Sequence, residues 1–245
     1  MIATIAAKEL KILFGSPLAW TILGVLQLVL AWLFLSQVDA FLNLQAQLVQ
    51  FANPPGVTEV VAAPLFNATA MILMVVTPIL AMRMIAEERR NHTLPLLLSA
   101  PVSLSAIVAG KFLGLWTFLC LIAALTIAMA FSLRVGGPID SGLLLANILG
   151  LMLLAACFSA LGLYFSSLTA QPALAAIGGI GASLGLWLLD IFVQDIAPLH
   201  GLSLLQHFTR CNRGLLDTAD FAYFLLFTAG FLVLAVLRLD QDRMP

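Results

Sequence analysis

Charge is scarce in this chain of 245 residues. Only 9% of them are Asp, Glu, Lys or Arg, against roughly 25% in an ordinary soluble domain, while 62% are hydrophobic and the mean hydropathy is +1.09. A chain with so little charge to cover a surface belongs in a bilayer. Its formal net charge of -1 supplies no basic field, and no run of five like charges forms a solvated tail, so nucleic acid is excluded as a partner. Cysteine is equally sparse. Cys120 and Cys157 lie inside apolar stretches and Cys211 in a more polar one, which gives no even-numbered disulfide framework.

What is abundant is long uncharged sequence. A helix rising about 1.5 Å per residue needs roughly 20 apolar residues to cross about 30 Å of hydrocarbon. Six such stretches run approximately over 17–35, 63–82, 112–132, 142–165, 172–193 and 221–237, and only Asp190 places a formal charge inside any of them. The fold class expected is all-α, a polytopic membrane protein of six transmembrane helices forming one domain over 1–245. Lysine and arginine favour the cytoplasmic side. With the N-terminus inside, Lys8, Lys11, Arg83, Arg89, Arg90, Lys111, Arg238 and Arg243 lie inside and Arg134, Arg210 and Arg213 outside, eight against three. Both termini are therefore expected in the cytoplasm, and the first stretch, with the length of a span, is read as retained rather than cleaved.

Residues 1–14 carry Thr4, Lys8 and Lys11 on one helical face and Ile2, Ile5, Ile12 and Leu13 mostly opposite, the pattern of a helix lying in the cytoplasmic interface of the lipid bilayer. Glu9 falls among the apolar positions and spoils that pattern. Gly15-Ser16-Pro17 then breaks the chain before the first span, the alternative being that residues 1–14 extend that span. Residues 36–62 begin as a Gln- and Asn-rich helical continuation and end at the turn signal Asn53-Pro54-Pro55-Gly56. In the fifth span Gly181 and Gly185 form a GxxxG pair that would let another helix approach closely, within the chain or across a dimer. Residues 194–220 alternate polar and apolar positions and are read as external helices at the outer interface.

Chemistry is missing where catalysis would need it. His200, His207 and Cys211 have helical spacing, but Pro198 and Gly201 interrupt the helix and no fourth ligand is evident, so no metal site is expected. Gly110-Lys111 lacks the rest of a phosphate-binding loop, because Ser105 and Phe112 stand where Gly and Ser or Thr are required. No histidine lies in any span, which leaves an intramembrane hydrolase without a base, and the spans lack the buried ionisable groups of an ion-coupled carrier. No catalytic residue and no bound cofactor are expected. If the chain transports, the energy is expected to enter from another subunit, and an apolar pathway would favour lipid-like, amphiphilic or polymeric cargo over bare ions.

The most unusual segment is AEERRNHTLPLLLSAPVSLSAIVAGK, residues 86–111, between the second and third spans. Thr93 can cap a short helix that opens with Leu94 and Pro95, and Ser103 can cap the helix that leads through Lys111. The positive-inside preference accounts for the arginines but not for Glu87, Glu88 or the leucines. A short apolar helix flanked by paired charges suits a protein contact, with leucines in a groove and charges at its rim.

These residues resemble the ABC-2 type permeases of ABC transporters. The family has an acidic-basic run, then Gly-Thr, Leu-Leu, Pro-Val/Ile-Ser/Thr and Gly-Lys. Here Glu87-Glu88-Arg89-Arg90, Thr93, Leu96 to Leu98, Pro101-Val102-Ser103 and Gly110-Lys111 match it, with His92 where the family usually has Gly and Pro95 where it often has Glu. His207-Phe208, Arg213-Gly214-Leu215-Leu216-Asp217, Tyr223-Phe224, Phe231-Leu232 and Leu239 are similar to the C-terminal block of the branch that includes gliding-motility and copper-maturation permeases.

The resemblance implies a transmembrane subunit of the inner (plasma) membrane, pairing with a second permease chain, identical or related. It would be driven by a separate ABC ATPase that binds ATP and Mg, and would act as an exporter, with room for an accessory exported protein. Residues 86–100 would be the coupling helix, with Glu87, Glu88, Arg89, Arg90, Thr93, Leu96, Leu97 and Pro101 at the ATPase contact and the helix of Lys8 and Lys11 beside it. The competing reading is a membrane anchor or scaffold that moves nothing.

Overall fold

The computed structural model describes residues 1–48, 56–95, 102–135, 137, 139–192 and 203–242, with backbone alone for 45–48 and 189–192. The described residues form helices and turns without a strand. Helix α1 is Ile2–Gly15, α2 Pro17–Leu48, α3 Ala63–Ala81 (entered through a π-helical turn, Thr58–Ala62), α4 Ala86–Arg90, α5 Leu104–Ser132, α6 Ser141–Leu168, α7 Pro172–Phe192, α8 Leu204–Asn212 and α9 Thr218–Gln241. Five segments are long and apolar enough to cross a membrane, Pro17–Leu44, Thr58–Arg90, Leu104–Val135, Ser141–Leu168 and Thr218–Gln241, and α7 supplies a shorter apolar stretch, Pro172–Leu188. Residues 49–55, 96–101, 136, 138, 193–202 and 243–245, with the side chain of Asp190, lie outside the described part. The readings made of Asn53 to Pro55, Leu96, Leu97, Leu98, Pro101, Pro198, His200, Gly201 and Arg243 fall there.

Helix boundaries follow local chemistry. Ser16 is extended (φ -90°, ψ 129°), so α1 is a separate helix and not the start of α2. Ser103 Oγ accepts the Ala106 amide at 3.3 Å, Asp140 Oδ1 accepts the Gly142 and Leu143 amides, and Asp217 Oδ1 accepts the Ala219 amide, so α5, α6 and α9 start on side-chain caps. Gly214 (φ 80°) ends α8, with the Leu215 amide returning to the Arg210 carbonyl at 3.0 Å.

Helix α6 is the hub. It packs against α3, α5, α7, α8 and α9 and is the most buried of the long apolar helices, while α2 and α9 lie at the periphery. Those peripheral helices turn Leu28, Trp32, Leu226 and Val233 outward, which suits hydrocarbon and not water. The closest approaches run over glycine. Gly110 and Gly114 of α5 form a groove for α1: a Cβ would lie 2.7 Å from Ile5 Cβ at Gly110 and 2.8 Å from Glu9 Cβ at Gly114. At Gly181 and Gly185 nothing comes within 4 Å of the Cβ position, so the fifth-span glycine pair is open within this chain.

Any side chain at position 114 has to push α1 off α5. Gly114→Val is expected to destabilise the purified protein by about 2 kcal/mol, the scale of overpacking, seen as a lowered Tm, whereas Gly181→Val leaves the monomer's Tm unchanged.

Candidate functional site

Where α1, α4 and α5 meet, a lysine is buried in a cage of acceptors. Lys111, between the two glycines of the α1 groove, is 1% exposed. Its ammonium donates to Glu9 Oε1 at 2.9 Å, to the Met84 carbonyl at 2.8 Å and to Glu88 Oε1 at 2.7 Å, so each of its three protons has an acceptor. Lys8 lies 3.5 Å from Glu9 and 3.6 Å from Glu88, which makes the four charges neutral as a group. An ammonium in an apolar medium persists only when paired and hydrogen-bonded, and here both conditions hold. Glu9, which disturbs the amphipathic pattern of α1 in the sequence, is the residue that ties α1 to α5. Lys8 joins the same cluster, while Lys11 stays on the surface.

The Met84 carbonyl is available because α3 stops at Ala81. Residues 82–85 make a tight corner, with the Met84 amide on the Ala81 carbonyl at 3.0 Å, before α4 begins. In α4 the charge run is used inside the chain. Arg83 donates to Glu87 Oε2 and to Ser16 Oγ, both at 2.9 Å, Glu88 belongs to the Lys111 cluster, and Arg89 pairs with Asp242 at the end of α9. Arg90 is exposed and has no ion-pair partner among the described residues. Asn91, His92 and Thr93 continue that exposed surface, and Leu94 then turns into the core.

His92 has φ 56°, the left-handed region that costs a side-chain-bearing residue about 1 kcal/mol and glycine almost nothing. Among residues with a side chain, histidine is one of those that tolerate it best. The Thr93 amide and hydroxyl both donate to the Glu88 carbonyl, at 3.0 and 3.2 Å, closing the turn.

At the opposite end of the bundle α8 lays Leu204, His207, Phe208 and Cys211 against the protein, a stripe at helical spacing. Gly150 of α6 makes room, since its Cβ position is 2.8 Å from Cys211 Cβ. His207 Nδ1 pairs with Asp220 Oδ1 and its ring stacks on Tyr223, centroids 4.1 Å apart; Arg210 lies 3.7 Å from the same carboxylate. Asp220 is fully buried in the first turn of α9, where the helix dipole favours its charge. The His207 and Tyr223 that carried the C-terminal resemblance are thus brought together by Asp220, a residue the motif reading passed over. His207 and Cys211 face inward one turn apart, and among the described residues no three His, Cys, Asp or Glu side chains gather to hold a metal ion. Burial pushes the Cys211 thiol up to about 11, with the Asp220 charge as the second cause. Between the ends of α3, α6 and α8 opens a recess of about 1000 Å³ lined by Glu59, Asn67, Asp140, Asn212 and Arg213.

The sequence model of a family described as "ABC-2 family transporter protein" matches residues 3–244. No curated protein matches the chain.

Two outcomes follow from the geometry. Lys111→Met leaves Glu9 and Glu88 with only Lys8 and is expected to cost about 3 kcal/mol, whereas Lys111→Met with Glu9→Leu recovers most of the lost Tm, because one carboxylate and one ammonium remain. Cys211 is buried and burial holds its thiol well above the ordinary cysteine value, so in a Cys120→Ser background a maleimide leaves it unmodified at pH 8 under conditions that label Arg213→Cys fully, as read by intact mass.

Proposed function

We propose that this chain, which belongs to the ABC-2 transporter family and is the membrane-spanning permease subunit of an ATP-binding cassette transporter, is an exporter driven by a separate ATPase subunit docked at residues 86–101. The observation that carries this reading is the corner at α4. Two of its four charged side chains, Glu88 and Arg89, anchor it to α1, α5 and α9, Glu87 pairs with Arg83 in the corner just before it, and Arg90, with Asn91 to Thr93, faces outward from that support. A segment fixed from behind and exposed in front is what a docking partner needs in order to push on the bundle. Of the residues assigned to the ATPase contact, Glu87, Glu88 and Arg89 then build the mount, and Arg90, Thr93 and the leucines that follow meet the partner.

ATP and Mg belong to that partner, and this chain hydrolyses nothing itself. Lys8, Arg83, Arg89, Lys111 and Arg238 share one end of the bundle through Glu9, Glu87, Glu88 and Asp242. With the excess of positive residues there, this supports an inner-membrane orientation with both termini in the cytoplasm. The open glycine face at Gly181 and Gly185 supports a second permease chain packed against α7, identical or related.

Purification of the tagged chain from its own membranes tests the reading. An ABC ATPase should accompany it, and Arg90→Glu should lower ATPase recovery about tenfold without changing the Tm of the permease. Recovery of the unmodified chain with no ATPase overturns the proposal. An ATPase that co-purifies and hydrolyses ATP with no movement of any lipid-like cargo in vesicles favours a membrane anchor instead.

A further inference from the structure

We infer that Ser166 is the positioning residue through which movement of α4 is passed to α6, and so to the far face of the bundle; the inference rests on the ATPase docking proposed above. Helix α4 opens without a cap of its own. Ile85 stands at its N-cap, and no side chain of the segment accepts its first amides. Those amides have no intrahelical carbonyl to meet and, being buried, need an acceptor. The acceptor comes from about 80 positions away in sequence: Ser166 Oγ takes the Ile85 amide at 3.1 Å and the Ala86 amide at 3.0 Å, and donates its own proton to the Met82 carbonyl at 3.2 Å. One fully buried hydroxyl thereby uses both lone pairs and its proton on the corner between α3 and α4.

The attachments of this corner to α5 and α6 differ in kind. Lys111 of α5 is a compact point charge that tolerates a change of angle while keeping its acceptors. Ser166 makes three directional bonds to backbone groups on either side of the bend, which ties the corner's orientation to α6. One turn earlier Gly162 lets Ala81 in, its Cβ position being 2.7 Å from Ala81 Cβ and 3.6 Å from Pro78 Cα. The end of α3 and the start of α4 therefore rest on one short stretch of α6. From there α6 runs past Cys157, which contacts the Phe224 carbonyl and Thr228 of α9, towards the opposite face, where Gly150 seats Cys211 of α8. A tilt imposed on α4 reaches α8 and α9 through a helix, without a mobile loop between.

The test uses the permease with its co-purified ATPase in lipid nanodiscs, with labels on Asn67→Cys and Arg213→Cys across the recess in a Cys120→Ser background. ATP with vanadate should change the distance between the labels. In Ser166→Ala that change should fall about fivefold while ATPase recovery and hydrolysis stay the same, and Ser166→Thr, which keeps the hydroxyl, should restore it. A full distance change in Ser166→Ala overturns the inference. So does loss of ATPase recovery in that variant, which would make Ser166 a builder of the docking surface and no more. Should Ser166→Ala elute as aggregate, Ser166→Cys, which keeps size but bonds weakly, is read in its place: a reduced distance change at intact hydrolysis supports the inference and an undiminished one overturns it. If no ATPase accompanies the unmodified chain, the docking proposal falls first and this inference with it.

Discussion

One ammonium group organises the charged end of this protein. Lys111 stands on a membrane-length helix with almost no exposure, where an unpaired cation would be intolerable, and its three protons select three neighbours. Glu9 sets the face that α1 turns to α5. The Met84 carbonyl is offered only because α3 has ended three residues earlier, and Glu88 sets the direction of α4. The glycines at 110 and 114 supply the close approach without which Glu9 would not reach. Helix α1, the helical break and the charged corner are thus consequences of satisfying a single buried charge.

The break itself creates a second requirement. A bend among membrane-length helices frees backbone groups that hydrocarbon cannot satisfy, so another part of the protein must. Ser166 meets this from α6 as Lys111 does from α5, the first by direction and the second by charge. The corner is consequently held by the two helices it lies between, and both lead to the far end. That end has its own buried pair, His207 with Asp220, which fixes α8 to the start of α9. An ABC-2 permease read this way is a rigid hub, α6, with a charged mount below and a small helical cap above.

Much of the organisation was legible because it depends on local composition. Long uncharged runs mark the long helices, Ser16 and Ser103 mark where helices stop and start, and the density of charge at 87–90 marks a special segment. The use of that charge was not legible. Glu87, Glu88 and Arg89 look like a rim awaiting a partner, yet each finds an opposite charge within the chain, from residues 83, 111 and 242. Glu9 looks like a flaw in an amphipathic face until Lys111 is placed beside it. Of the two glycine pairs at GxxxG spacing, the one at 181 and 185 attracts attention in sequence, while the one at 110 and 114 carries the helix contact inside the monomer.

The chain by itself determined that it is helical, where its apolar segments lie, and that positive residues collect on one side, since hydropathy, spacing and capping act over a few residues at a time. Only the tertiary structure decided which charges meet, which glycines are filled and which hydroxyl caps α4. Several of these depend on residues some 70 to 150 positions apart, as with Ser16 and Arg83 or Arg89 and Asp242. In hydrocarbon no water stands in for a missing partner, so such pairings are settled by how the helices pack and not by anything the neighbouring sequence can supply.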